Sequence, residues 1–259
     1  MDCPTKVDES LKIFDNAEKM NHSKTGGSPV GSTPEAVKFS SFLGPILLLT
    51  NIFFLNFISR IIFAPLLPSI QKDLGLAHVE AASFFLFVSM GYSVSLLSSG
   101  FISNRLKHRK TIVLSATAVG ISLLSIALCD GIWTIRGGLL LLGLASGLYL
   151  PSGLASLTAL VSVRHWGKAI ATHELAPNLS FFVAPLLAES LMMVFSWRGV
   201  LVFLGVCSIL MGALFSHFWK GGDFPGEAPN FLSLKALFAQ KSFWIMMILF
   251  SFGICATLG

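Results

Sequence analysis

A histidine and a glutamate stand side by side inside a strongly apolar stretch, His173 and Glu174 in AIATHELAPNLSFFVAPLLAES (169–190). An imidazole titrates near neutrality and a partly buried carboxylate can be shifted toward it, so either group can take up a proton. The same pair can instead seal a gate, with Glu174 held against Arg105 or Arg109 of a basic stretch elsewhere in the chain. Asn178, one helical turn after Glu174, adds a polar group to that face. Arg60, within NFISRIIFAP, is a second isolated charge, and Asn56 lies one turn before it at i−4. A guanidinium offers a planar fork of donors that matches a carboxylate or phosphate, and Asn56 can add a neutral donor. Arg60 and Asn56 are therefore candidate solute-binding residues for an organic anion; the other reading of Arg60 is a structural charge paired with carbonyls. Arg136 and Glu189 sit at matching depth on consecutive apolar stretches and are expected to form a structural ion pair.

Other chemistry finds no residues to carry it. HExxH, GxSxG and a close aspartate pair are all missing, so an enzyme is not expected. The phosphate-cradling G-x-x-x-x-G-K-[ST] run is missing too, which leaves ATP-driven work without support. Cys3, Cys129, Cys207 and Cys255 are widely spaced with no CxxC and suggest neither disulfide frame nor metal site. No cofactor is expected.

Composition sets the class of element that must position these groups. Hydrophobic residues make up 54% of the chain and charged residues only 12%, with 23 phenylalanines, and mean hydropathy is +0.76. A soluble domain carries about a quarter charged residues. So much apolar surface requires lipid as solvent. Apolar runs fall at about 44–70, 79–103, 111–129, 132–161, 169–195 and 199–219, and a seventh begins near 243. Each approaches the ~20 residues that a helix needs to cross a bilayer, and in lipid the backbone must satisfy itself, so these runs are helices. The fold class expected is all-α, a polytopic transmembrane helical bundle.

Lys and Arg set the orientation. If the runs alternate, fourteen fall on one side, in the tail and in the stretches 105–110, 164–168 and 220–241, against three (Lys72, Arg136 and Arg198) on the other. This bias places the N-terminus in the cytoplasm of a cell (inner) membrane. It also accounts for the net charge of +5 without nucleic acid as a partner. Four regions are expected: a disordered cytoplasmic tail (1–41), a six-helix transmembrane domain (42–219), a central cytoplasmic linker (220–242) and the first helix of a truncated second domain (243–259).

Four stretches, in order, carry a resemblance to a known family. GFISNRLKHRK (100–110) resembles the signature loop G-x-L-x-D-R-x-G-R-R of the major facilitator superfamily: Gly100, Ile102, Arg105, Arg109 and Lys110 fit, Asn104 replaces the acidic residue and Lys107 the turn glycine. GLASGLYLPSG (143–153) is similar to the family's glycine-rich fourth helix, with Leu139 where an arginine is usual. SWRGV (196–200) is similar to the opening of its sixth helix, and PLLPSIQKDLGL (65–76) to the end of its first helix and outer loop. The resemblance covers residues 42–259 and implies one six-helix half plus the start of a second.

It further implies a secondary transporter that moves a small solute by alternating access, by symport or antiport, driven by a proton or another ion, with membrane lipid around it. In such a protein Gly100, Arg105, Arg109, His173 and Glu174 are candidates for gating or proton coupling. Gly143 and Gly147 form a GxxxG suited to close helix packing, and Pro151 and Pro177 are candidate kinks. The alternatives are a truncated membrane protein without transport and a drug or metabolite efflux antiporter of the same superfamily.

Overall fold

The computed structural model describes residues 39–219, 221–227 and 231–258, and among them every regular element is helical. The expected tail lies outside the described residues, apart from the turn Phe39–Phe42 that leads into the first helix. Span one is built from α1 (Leu43–Ile61) and α2 (Phe63–Leu74). The next helix, α3 (His78–Ala127), is 50 residues long and supplies two arms. Then follow α4 (Ile132–Gly147), α5 (Tyr149–Leu160), α6 (Trp166–His173), α7 (Leu175–Met192) and α8 (Trp197–Phe218). The expected linker contains a helix, α9 (Phe231–Ala239), and α10 (Lys241–Leu258) begins two residues before the expected start at 243. Counting α1–α2, α4–α5 and the run through α7 as single stretches, five stretches within 39–218 are long and apolar enough to cross a membrane.

Three of these stretches break, and in each case the break lies three residues before a proline. Ile62 precedes Pro65, Leu148 precedes Pro151 and Glu174 precedes Pro177. Proline has no amide hydrogen and its ring crowds the carbonyl of residue i−4, so the ladder opens one turn upstream. Leu148 and Glu174, the break residues before Pro151 and Pro177, keep right-handed helical backbone angles. Pro68 and Pro185 lie inside helices that continue through them.

Sequence reasoning places a loop between 103 and 111; in the structure helix runs almost through it. Only Lys107 leaves helical geometry, at φ 64° and ψ 158°. The two arms of α3 nevertheless run in opposite directions, as their registers on α4 require. On the first arm, Val88 and Tyr92 meet Gly143 and Gly147, ascending together. On the second, Ser115 bonds Ala145 at 2.7 Å while Ile126 packs at Gly138, so the register descends. One residue turns the chain back.

Glycine makes the first of these contacts possible. A methyl group at Gly143 would strike the Val88 carbonyl, one at Gly91 the Leu140 carbonyl, and one at Gly147 would sit 2.6 Å from the Tyr92 carbonyl. The GxxxG therefore packs backbone against backbone, where dispersion rather than water exclusion holds membrane helices together. Two apolar clusters fill the bundle. One includes Ile58, Leu66, Phe84, Leu123, Leu139 and Leu201, and the other Leu49, Phe53, Ile112, Leu157 and Phe215. At Asn56, between Phe53 and Ile58 of α1, a polar layer crosses the bundle: its amide donates to Ser115 Oγ and to the Ser146 carbonyl, each at 3.3 Å.

At the reversal, chain from beyond α8 covers the exposed amides. His108 N–H donates to the Phe224 carbonyl (3.2 Å), Arg109 N–H to Gly222 (3.0 Å) and Gly226 N–H to Ser103 (3.0 Å). The first two bonds satisfy amides at the start of the second arm, and the third satisfies a carbonyl at the end of the first, groups that have no partner within the helix. They also hold Lys107 in a backbone region that only glycine adopts freely, at a cost of about 1–3 kcal/mol. Lys107→Gly should accordingly raise stability by about 1 kcal/mol, the low end of that range, in thermal unfolding of the detergent-solubilised protein. A lower midpoint for the variant would show that the turn carries no such strain.

Candidate functional site

Arg60 occupies the last turn of α1, two residues before the break at Ile62. Its guanidinium carbon lies 4.2 Å from the centre of the Tyr92 ring and 4.9 Å from that of Phe57. Both contacts fall within cation–π range, which offsets part of the cost of a charge at this depth. Nε is buried with no hydrogen-bond partner. Beside it opens a cleft of about 700 Å³ between span one, the first arm of α3 and α7, lined among others by Arg60, Ala64, Ser89, Tyr92, Phe181 and Pro185. Its walls are largely apolar around one cation. Asn56, the other candidate solute ligand, is not among its lining residues, and its amide nitrogen donates to Ser115 and Ser146.

His173 ends α6 and Glu174 forms the break that follows. The imidazole is wholly buried and lies flat against Phe53, 4.4 Å between ring centres at an interplanar angle of 10°. Its Nε2 is 3.1 Å from the Tyr149 hydroxyl, which also bonds the Leu49 carbonyl at 2.7 Å, and its Nδ1 faces Glu174 Oε1 at 3.4 Å. The amide of Asn178 bonds the backbone carbonyl of Glu174. The expected contact of Glu174 with Arg105 or Arg109 does not form. Arg109 reaches the Ser216 carbonyl (2.7 Å) and Asp223 (3.4 Å) instead, and Arg105 is exposed.

Asp223 thus brings to the basic stretch the acid that Asn104 lacks. Nearby, His108 Nδ1 meets Ser152 Oγ at 3.2 Å, and Phe224 packs on the His108 ring with 4.7 Å between centres. Gly100 accepts a bond from Ser103 Oγ through its carbonyl. The basic end is thereby tied to α5 and α8 through side chains and to residues 222–226 through backbone.

Arg136 and Glu189 do not pair. Arg136 Nε donates to Ser83 Oγ at 3.0 Å and its guanidinium lies 4.7 Å from the centre of the Trp133 ring, whereas Glu189 is exposed on α7. Matching depth brought them level, but the face Arg136 presents is turned toward α3. The ionic cluster at this end is a different one. Arg198 bridges Asp73 at the end of α2 and Asp130 after α3 (2.7 Å), and the Trp197 indole donates to Asp73 at 3.0 Å.

Two residues of the sites were missed in the sequence, Tyr92 on Arg60 and Tyr149 on His173. A signal was available: the chain has two tyrosines against 23 phenylalanines, and both lie at these sites. In apolar surroundings a hydroxyl has to find a partner.

A family model described as Major Facilitator Superfamily matches residues 49–258. A protein named as a major facilitator superfamily multidrug transporter, mfsC, of Aspergillus fumigatus is 25% identical over 221 residues, covering 82% of this chain and 42% of its own length. Among solved structures, a bacterial homologue of the human lysosomal transporter Spinster, inward-facing and unoccupied, superposes with a TM-score of 0.64 at 17% identity, over 83% of this chain and 51% of that one. A peptide transporter, POT, in complex with alafosfalin gives a TM-score of 0.64 at 15% identity, over 86% and 48%. The chain spans about half the length of the relatives it matches.

The Asp73 carboxylate, at the end of α2, accepts from both the Trp197 indole and Arg198. Asp73→Asn removes the charge that Arg198 pairs with and should lower the thermal unfolding midpoint of the detergent-solubilised protein. An unchanged midpoint would remove Asp73 from the cluster's energetics.

Proposed function

Because the chain belongs to the Major Facilitator Superfamily, we propose that it forms one half of a secondary active transporter that moves a small organic anion by alternating access, with Arg60 as the anchor. The observation that carries this reading is the half-buried guanidinium lining the cleft, its carbon packed against the Tyr92 and Phe57 rings. Cation–π packing occupies the face of the group and leaves its in-plane donors for a ligand. A carboxylate or phosphate accepts from such a fork with two bonds. Span one contributes its wall on both sides of the break at Ile62, and α7 contributes an unbroken stretch around Pro185. The gradient that drives the cycle is a proton or another ion.

A second reading has its own support. The apolar walls of the cleft and the name of the multidrug relative favour amphipathic compounds moved outward. Equilibrium binding of radiolabelled aliphatic and aromatic carboxylates, and of neutral amides of the same skeletons, to the chain in lipid nanodiscs separates the two. For an anion site, binding is confined to the carboxylates. Arg60→Ala should lower their affinity about 10- to 100-fold, the size of a lost charge-assisted bond of about 1.5–3 kcal/mol, and Arg60→Lys should lower it less. Amides handled as well as acids, with Arg60→Ala unaffected, would overturn the anion reading in favour of amphipathic export.

The orientation with the N-terminus in the cytoplasm follows from the fourteen-to-three distribution of Lys and Arg. Single cysteines at Lys107→Cys and Lys235→Cys should react with a membrane-impermeant maleimide only from the cytoplasmic face, and Lys72→Cys only from outside. Labelling at 107 in intact cells would reverse the topology.

A further inference from the structure

We propose that His173 and Glu174 hold one exchangeable proton between them, and that Tyr149 is the positioning residue that presents Nδ1 of the imidazole to the carboxylate. The assignment comes from counting hydrogens. Tyr149 has one hydroxyl hydrogen and two close neighbours, the Leu49 carbonyl oxygen at 2.7 Å and His173 Nε2 at 3.1 Å. A carbonyl oxygen has no hydrogen to give, so two oxygens at that separation require the tyrosine hydrogen between them. The contact to Nε2 then needs a hydrogen on nitrogen, with the tyrosine oxygen as acceptor. In a neutral imidazole only one nitrogen carries hydrogen, which leaves Nδ1 with a lone pair. That lone pair faces Glu174 Oε1 at 3.4 Å, an acceptor against an acceptor. One proton added from water turns the repulsive contact into a hydrogen bond, as an N–H on Nδ1 or an O–H on the carboxyl.

The surroundings suit this occupancy. Tyr149 comes from α5, Leu49 and Phe53 come from α1, and the carboxylate belongs to the residue after the histidine. Phe53 lies parallel to the imidazole at 4.4 Å and presents its π-face to any charge that forms there. The bonded or ion-paired groups facing the ring are Tyr149 and Glu174, and the basic residues of the neighbouring turns, Arg164 and Lys168, are not among its partners. Phe53 in turn meets Phe57 edge-on at 6.3 Å, and Phe57 lies against the guanidinium of Arg60. One face of α1 thus connects the proton site to the cleft through two rings.

The role of this proton in driving transport rests on the transporter reading; its existence does not. The decisive measurement is nitrogen NMR of the ¹⁵N-histidine-labelled chain in lipid nanodiscs from about pH 5 to about pH 9, with His173→Gln identifying the resonances. The expected result is a neutral ring with hydrogen on Nε2 at the alkaline end and hydrogen on both nitrogens, or a protonated Glu174 carboxyl by ¹³C, at the acid end. Tyr149→Phe keeps the stacked ring but should abolish the Nε2–H preference. Glu174→Gln should keep the alkaline tautomer and remove the two-hydrogen form from that pH range. A parent ring bearing its neutral hydrogen on Nδ1, or a ring and carboxyl unchanged across the range, overturns the proposal without needing any variant to fold. Binding of a radiolabelled carboxylate to the same nanodisc preparation keeps the readings apart: Arg60-dependent binding with the wrong tautomer refutes the proton site alone, and the right tautomer without carboxylate binding refutes the solute-site reading alone.

Discussion

The missing amide hydrogen of three prolines governs where this molecule can place polar groups. Each of Pro65, Pro151 and Pro177 opens its helix three residues upstream, and each opening releases a carbonyl that lipid cannot satisfy. Such a break has to be enclosed by protein. Ile62 and Leu148 are indeed buried among neighbouring helices, and at the third break Glu174 is half-buried beside the buried His173. The polar side chains that need enclosure for their own reasons lie at the same places: Arg60 two residues before one break, Tyr149 directly after another, and His173 and Glu174 at the third. Of these side chains Tyr149 and His173 are fully buried, while Arg60 and Glu174 are half-buried.

Close packing supplies that enclosure. Helices in a bilayer gain little from excluding water, so their association depends on how near the backbones come. Gly91, Gly143 and Gly147 let α4 touch the first arm of α3, and Gly120 and Gly205 do the same between the second arm and α8, where a Cβ on Gly120 would lie 2.5 Å from the Gly205 carbonyl. With α4 clamped against one arm, Ser146 reaches Asn56 and Ser115 reaches the Ala145 carbonyl. The polar layer at midspan is thus a product of glycine contacts on either side. It consumes Asn56 and leaves Arg60 as the charged group of the cleft wall.

At the basic end, charge and backbone conformation make opposite demands on one residue. Lys107 stands where the family's signature has glycine, and its positive φ is the conformation a glycine would take. The side chain adds a cation to the basic end at the expense of a strained backbone. Residues 222–226 hold that strain in place by accepting from the amides of His108 and Arg109, while Asp223 provides the carboxylate that Asn104 does not. The two departures from the signature are therefore answered by one short segment.

The sequence by itself determined the class, the apolar spans and the family, because hydropathy and run length act locally; it did not decide which prolines interrupt a helix, since Pro68 and Pro185 lie inside helices that continue. It also singled out the ionisable residues worth attention, since charge in an apolar run is visible without coordinates. The partners of those residues were decided by tertiary structure. Position along a span sets depth, but the neighbour is set by the rotation of each helix and by which helix lies beside it. Arg136 and Glu189 share a depth and face different neighbours; Asn56 and Arg60 are one turn apart, and only Arg60 reaches the cleft; Glu174 meets the adjacent histidine rather than an arginine seventy residues away. The two tyrosines make the same point from the other side. Their rarity was legible, yet only the packed bundle brings one hydroxyl to His173 and sets the other ring against Arg60, because those contacts join helices whose separation in sequence carries no information about their facing sides.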